Sequence, residues 1–265
     1  MDRTRLRKPA TAQTQTLAVI ASDMTKYLTT FLLILSSPVL GQSKLDIDCF
    51  VMGLIDDGTK KMIKEEKLDW EWIEEFSPLY FELMDCIDSL IKIENSTRIS
   101  GTQITSSRTL SPNNGISNMY YSRALADQIN KNYKFKFHHE WDLKMRKMYI
   151  GHVKPKCLKT NEERISFILG AFIHFGKQDK DLYLYSIRLS PDKFDLILKS
   201  LKKLKCEIVT TVDEMWMSDG TTKSDIESRT IVFKPTVELK NRITEFNGLI
   251  DRIEKKRVVY FNTSE

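Results

Sequence analysis

The side chains best suited to chemistry cluster at residues 138–142, which read His-His-Glu-Trp-Asp. Imidazoles and carboxylates act as general acids and bases, so His138, His139, Glu140 and Asp142 are the candidate catalytic residues of a hydrolase. A zinc site on a helix needs histidines four positions apart, so that both rings share one face. Here they are adjacent, and on a strand they would point to opposite faces. The sequence predicts no metal site, and ordinary polar residues are the alternative to a catalytic cluster.

The four cysteines are Cys49, Cys86, Cys157 and Cys206. In an oxidising compartment four cysteines can form two disulfides, and we predict the local pairs Cys49–Cys86 and Cys157–Cys206. The alternative is that some are buried free thiols, since cysteine is among the most buried residue types. The absence of a C-x-x-C pattern argues against a zinc ribbon or a thioredoxin-like site.

Residues 24–42, MTKYLTTFLLILSSPVLGQ, decide which compartment applies. A lysine, an apolar run, a proline and a small exit residue follow one another, the order typical of a secretory signal. The run over residues 27–40 is shorter than the roughly 20 residues that a membrane-spanning helix needs. We therefore predict cleavage between Gly41 and Gln42 and a periplasmic or secreted protein. A membrane anchor over residues 17–40, with the chain touching the membrane through this N-terminal segment alone, is the alternative.

The charge balance predicts no nucleic-acid partner. The chain has 265 residues and a formal net charge of +5. Residues 1–41 carry five basic and two acidic side chains, so cleavage would lower the net charge to +2. A nearly neutral protein offers no bulk attraction for phosphates.

Four segments follow from composition and pattern. Residues 1–41 form the N-terminal extension and signal peptide, and residues 42–97 are predicted to be helical. Residues 98–118, rich in Ser, Thr, Asn and Gly, are predicted to be a flexible linker or loop. Residues 119–265 are predicted to form an α+β domain.

The predicted fold class is α+β: a helical hairpin, then a small antiparallel or mixed sheet packed with helices, then a long C-terminal helix. The second half carries the clearest signals, a capping box at Thr160–Glu163 and a helix start at Ser190-Pro191. Two β-rich runs follow at 206–217 and 226–233, with turn residues between them. The apolar stripe 239, 243, 246, 250 and 253 of the terminal helix either packs on the sheet or forms a homodimer seam.

Common catalytic and nucleotide-binding motifs are missing, including G-x-S-x-G, the P-loop and G-x-G-x-x-G. We therefore predict an exported, non-enzymatic binding or structural protein without a cofactor, whose partner is another protein or a small ligand. The alternatives are an exported hydrolase that uses His138, His139 and Glu140, and a single-pass, membrane-anchored helper protein.

Overall fold

Helices and antiparallel strands alternate along the part of the chain that the structure describes, and the predicted α+β class is confirmed. The structure is a computed structural model that describes residues 45–55, 62–64, 71–112, 115–141, 147–188, 190–216 and 225–262. All of these residues belong to one compact unit, Lys44–Glu265.

The first half contains three helices and four strands among the described residues. They are α1 (Ile47–Leu54), β1 (Met62–Lys64), β2 (Trp72–Phe76), α2 (Phe81–Ser96), β3 (Ser107–Leu110), β4 (Asn118–Tyr121) and α3 (Arg123–Asn130). Strands β2, β4 and β3 form an antiparallel sheet in that order. A hairpin of β5 (Tyr133–Trp141) and β6 (Lys147–Val153) follows, and β6 also pairs with β1.

The second half is built in the same way. Its elements are α4 (Asn161–Phe175), β7 (Gly176–Asp179), β8 (Leu182–Arg188), α5 (Pro191–Lys203), β9 (Glu207–Trp216), β10 (Asp225–Lys234), α6 (Val237–Thr244) and α7 (Asn247–Asn262). Its antiparallel sheet has the order β7-β8-β10-β9. The order β8-β10-β9 repeats β2-β4-β3, so the chain contains two copies of a helix-strand-strand-helix-strand-strand-helix unit, separated by the β5–β6 hairpin.

Alternation along the strands buries one face of each sheet. In the second sheet Tyr185 and Phe233 point inward, and their rings stack with centroids 5.5 Å apart. The Tyr185 hydroxyl donates to the Ile168 carbonyl of α4, so the sheet is hydrogen-bonded to the helix it covers. In the first sheet Phe76 and Tyr120 are buried in the same way, edge to face at 6.4 Å.

The predicted capping box is present at the start of α4. Thr160 Oγ1 accepts from the Glu163 amide at 3.1 Å, and the Glu163 carboxylate accepts from the Thr160 amide at 2.9 Å. Helix α4 is buried nearly all round from Ile165 to Ile173, as its uniformly apolar sequence predicts. It is therefore the central helix of the second half.

Three details differ from the sequence prediction. Strand β2 lies within the region predicted to be helical, because pairing with β4 and burial of Ile73 and Phe76 outweigh local pattern. The predicted linker contains β3, and the division into domains stays a prediction. The terminal helix is two helices, α6 and α7. Four members of its stripe are buried within the chain and Ile250 is partly buried, and Phe246 packs on Phe50 of α1 with ring centroids 5.8 Å apart. These residues are therefore not available as a homodimer seam.

The predicted disulfides are wrong, since all four cysteines are free thiols. Cys49 lines a cavity together with Cys157, whereas Cys86 lies in the core within electrostatic reach of Arg252. Helical spacing places Cys49 and Cys86 on buried apolar faces, and such burial suits free thiols as well as disulfides. Burial raises the pKa of the Cys86 thiol to about 12 and that of Cys157 to about 11, so both are protonated at neutral pH.

Candidate functional site

The two repeats meet where α1 crosses α4, and a glycine from each helix lies at the contact. A Cβ atom added to Gly53 would lie 2.0 Å from the Phe167 carbonyl oxygen. A Cβ added to Gly170 would lie 1.9 Å from the Phe50 carbonyl oxygen. Real Cβ atoms essentially never approach closer than 3.0 Å, so each position admits glycine and no larger residue at this spacing.

The contacts at the crossing are reciprocal. Phe50 lies three residues before Gly53, and Phe167 lies three residues before Gly170. The next contacts are equally matched: Gly53 faces the Ala171 amide nitrogen and Gly170 faces the Leu54 amide nitrogen, each one residue after the opposite glycine. Contacts in which i meets j and j meets i are the signature of two-fold symmetry. The crossing therefore has a local two-fold axis inside one chain.

Cationic and polar side chains close the carboxyl ends of both helices. His174 Nδ1 lies 2.6 Å from the Leu54 carbonyl oxygen of α1, and Lys193 Nζ donates to the Ile55 carbonyl. Arg257 donates to the carbonyl of His174 itself, at the end of α4. Donors at these positions satisfy carbonyls that have no partner within the helix. Positive charge at the carboxyl end of a helix also interacts favourably with the helix dipole.

His174 acts here as a neutral hydrogen-bond donor. Its burial lowers the pKa to about 3, and the nearby charges of Lys193 and Arg257 act in the same direction. A carbonyl oxygen accepts and does not donate, so Nδ1 carries the proton in the contact with Leu54. His174 therefore joins the two repeats structurally.

Lys193 is the most deeply buried charged side chain near the crossing, with 1 % of its surface exposed. Its Nζ lies 5.0 Å from the centroid of the Phe175 ring, in addition to the hydrogen bond to Ile55. Burial of an ammonium group is costly unless it is paired. Asp56 and Asp57 follow Ile55 directly in the sequence, and they lie outside the described residues.

The exposed faces of the two sheets occupy equivalent places in the two repeats. On the first sheet, neighbouring strands line up Glu75, Met119 and Thr109 in one row and Trp72, Tyr121 and Ser107 in the next. On the second sheet the matching rows are Leu184, Val232 and Thr210, and Ser186, Thr230 and Val212. Threonines on β3 and β9, Thr109 and Thr210, are exposed at equivalent edges. These faces present hydroxyl, aromatic and aliphatic groups, with little charge.

The predicted catalytic cluster is only partly visible. The backbone of His138, His139 and Glu140 belongs to β5, but their side chains lie outside the described residues, as does all of Asp142. Their catalytic role stays a prediction. Farther along the same hairpin, His152 Nδ1 lies 2.6 Å from Asp192 Oδ2 of α5. Among the described residues, no group of three or more His, Cys, Asp or Glu side chains could hold a metal ion.

Gly53 and Gly170 were missed by the sequence analysis, although a signal for them exists. Residues 50–53 read Phe-Val-Met-Gly and residues 167–170 read Phe-Ile-Leu-Gly, both inside apolar helices. An internal comparison of the two halves would have aligned these segments and, with them, the repeated order of elements. Neither glycine stands out when its own helix is considered alone.

Comparison with known proteins gives a likeness to solved structures only. No protein-family model matches the chain, and no curated protein matches it. Mesophilic variants of the homing endonuclease I-DmoI match with 12% identity and a TM-score of 0.38, over 77% of this chain and 95% of that chain. I-DmoI in complex with DNA and Ca matches with 12% identity and a TM-score of 0.38, over 77% and 88%. The complex with DNA and Mn matches with 13% identity and a TM-score of 0.38, over 77% and 96%.

This comparison corrects the functional predictions made from the sequence. The exported binding protein, the exported hydrolase, the anchored helper and the lack of a nucleic-acid partner are all contradicted, because the matching structures are homing endonucleases, several in complex with DNA. The periplasmic or secreted location and the signal peptide are contradicted by the same finding. Residues 1–44, where the signal and the alternative anchor were predicted, lie outside the described residues. Within the described ranges, every helix is too short or too polar to cross a bilayer.

Proposed function

We propose that this protein binds double-stranded nucleic acid, with one repeat on each side of a central dyad. The observation that carries the proposal is the reciprocal contact of Gly53 and Gly170, which gives one chain an internal two-fold axis. A duplex has two-fold axes of its own, and proteins with two-fold symmetry bind it at paired half-sites. A duplicated unit on one chain is suited to the same geometry.

The exposed sheet faces support base readout in a groove. Side chains on alternate positions of an antiparallel sheet form a two-dimensional array, and β-strands are able to enter a groove of the duplex. Thr109 and Thr210 hold equivalent edge positions and carry both a hydroxyl group and a methyl group, which suit hydrogen bonds to base edges and contact with thymine methyls. The remaining members of the two faces differ from each other, so the two half-sites should differ in sequence.

Selection from a random duplex library tests the proposal. We expect the recovered sequences to contain two unlike half-sites at a constant spacing. Thr109→Ala should alter the base preference in one half-site and Thr210→Ala in the other, by ~1–3 kcal/mol of discrimination each. Gly248→Ala, far from both sheet faces in sequence, serves as the control and should leave the preference unchanged.

Two results would count against the proposal. One is a wild-type protein that retains no duplex above background at low salt. The other is a pair of threonine variants that change the same half-site, since equivalent residues of two symmetric repeats must contact opposite halves.

A further inference from the structure

Seven lysines line two cavities. The first cavity, of about 510 Å³, lies near the start of α1, the end of α3 and the connector from β6 to α4. The second, also of about 510 Å³, lies along α5. We call these residues the lysine surface; its members are Lys131, Lys154, Lys156 and Lys159 at the first cavity and Lys199, Lys202 and Lys203 at the second.

Hydrogen bonds join the two cavities into one surface. Lys199 Nζ of α5 donates to the Pro155 carbonyl at 2.8 Å, which lies between Lys154 and Lys156 on the connector. Lys154 Nζ donates to the Lys131 carbonyl at the end of α3, at 2.6 Å. The lysines of three separate segments are therefore held next to one another.

Within the described ranges, ion pairs leave the positive charge of the lysine surface unneutralised. All seven side chains are exposed, and none of them pairs with a carboxylate in the described parts of the chain. Carboxylates also line the cavities, Asp46, Asp48 and Glu163 at the first and Asp195 at the second, so seven lysines face four carboxylates. Asp46 accepts from the Cys49 amide at 2.8 Å, Glu163 accepts from the Thr160 amide at 2.9 Å, and Asp195 lies 3.7 Å from Arg229.

We propose that the lysine surface binds the phosphate backbone of nucleic acid, at a place separate from the exposed sheet faces. This inference rests on the proposed function. It names the lysines as the groups that supply the affinity for nucleic acid. Phosphate contacts provide most of the salt-dependent binding energy, whereas base contacts provide specificity. Among the described residues the rows of the sheet faces hold two charged side chains, Glu75 and Lys177 of β7, which pairs with Leu184. One lysine supplies few phosphate contacts, so most of them must come from elsewhere. The lysine surface is a concentration of unpaired positive charge suited to that role.

Salt titration of the full-length protein tests this assignment. The affinity for a fluorescent 30-base-pair duplex is measured at several salt concentrations, and the slope of log K against log salt is compared between variants. The test variant is Lys131→Gln, Lys156→Gln, Lys159→Gln. The matched control is Lys92→Gln, Lys240→Gln, Lys255→Gln, which removes three exposed lysines elsewhere and lowers the net charge equally.

Each phosphate contact contributes about 0.9 to the slope on duplex DNA. If all three lysines contact phosphates, the slope of the test variant falls by about 3 and its affinity at 0.1 M salt falls on the order of 10-fold or more. The control should keep the wild-type slope. A second variant, Lys199→Gln, Lys202→Gln, Lys203→Gln, removes the lysines of the second cavity. It should show a similar loss of slope and affinity.

The outcomes separate the two proposals. If the wild type binds and both lysine variants keep its slope and affinity, the lysine surface is not the phosphate site, whereas the proposed function stands. If the control variant loses as much affinity and slope as the test variant, the effect comes from net charge alone and the assignment is overturned. A wild type that binds no duplex refutes the proposed function, and one that binds neither duplexes nor single strands refutes this assignment as well.

Duplex DNA, duplex RNA and single strands of the same sequence identify the source of the phosphates. If the slope of log K against log salt is smaller for the test variant on any of these, the assignment is supported. The nucleic acid on which the slope falls is the one that the lysine surface contacts. An unchanged slope on all of them overturns it. Circular dichroism and thermal melting of each variant confirm that the fold is retained, which is expected because every substituted lysine is exposed.

Discussion

Replacement of either crossing glycine by alanine should destabilise the protein strongly. The added Cβ of Gly53→Ala would lie 2.0 Å from the Phe167 carbonyl oxygen, and that of Gly170→Ala 1.9 Å from the Phe50 carbonyl oxygen. Since contacts below 3.0 Å are essentially never seen, α1 and α4 must separate by about 1 Å. Both neighbours are backbone atoms within helices, so no side-chain rotation relieves the clash.

A gap of 0.5–1 Å forfeits about a quarter to a half of the dispersion energy of the contacts it opens. Phe50 and Phe167, whose backbones form the contact, are both fully buried, so the separation disturbs the core. Strain and lost contacts together place the expected loss at ~3–5 kcal/mol, after the ~1 kcal/mol that alanine gains in helix propensity. For a chain of this size the melting temperature falls roughly 2–4 °C per kcal/mol, so the expected drop is about 6–20 °C.

Thermal and urea unfolding followed by circular dichroism measure this loss. Gly248→Ala is the matched control, because it places the same methyl group in helix α7, where the nearest atom is Arg252 Nη1 at 3.8 Å. The control should match the wild type or exceed it by up to ~1 kcal/mol. The double variant Gly53→Ala, Gly170→Ala should lose less than the sum of the single variants, since separation caused by one alanine makes room for the other. Crossing variants that melt within about 2 °C of the wild type would refute the close helix contact and the symmetry inferred from it.

Three further predictions concern buried polar groups. Lys193→Met should cost ~2–3 kcal/mol in urea unfolding, because it removes a charged donor from the Ile55 carbonyl, whereas the exposed control Lys202→Met should change stability by less than ~0.5 kcal/mol. The pKa of His174 is lowered from 6.5 to about 3, so the unfolded state takes up the proton first and stability should fall by about 1.4 kcal/mol per pH unit below pH 6.5; His174→Gln should remove this slope, and an unchanged slope would contradict the buried neutral histidine. Burial raises the pKa of Asp48 from 3.8 to about 7, so its contribution to stability is complete below pH 3.8 and is lost as the pH rises through 7; Asp48→Asn should raise the urea midpoint at pH 8 relative to the wild type and not at pH 4.

Local chemistry in the second half was readable from the sequence. The capping box at Thr160, the helix start at Pro191 and the pair of strands near 207–216 and 225–234 depend on hydrogen bonds and turn residues within a few positions of one another. The α+β class followed from these elements. Short-range interactions of this kind are carried by the sequence itself, whatever the rest of the chain does.

Only the tertiary structure decided what the helices and cysteines contact. Strand β2 forms because β4 pairs with it. Cys49 and Cys86 are buried free thiols, and whether two cysteines meet in a pair depends on how their helices pack. Gly53 and Gly170 are more than a hundred residues apart, and neither helix alone gives a reason for a glycine. Their role exists when two backbones meet closely enough to exclude a methyl group, and the internal two-fold axis on which the proposed function depends arises from that meeting.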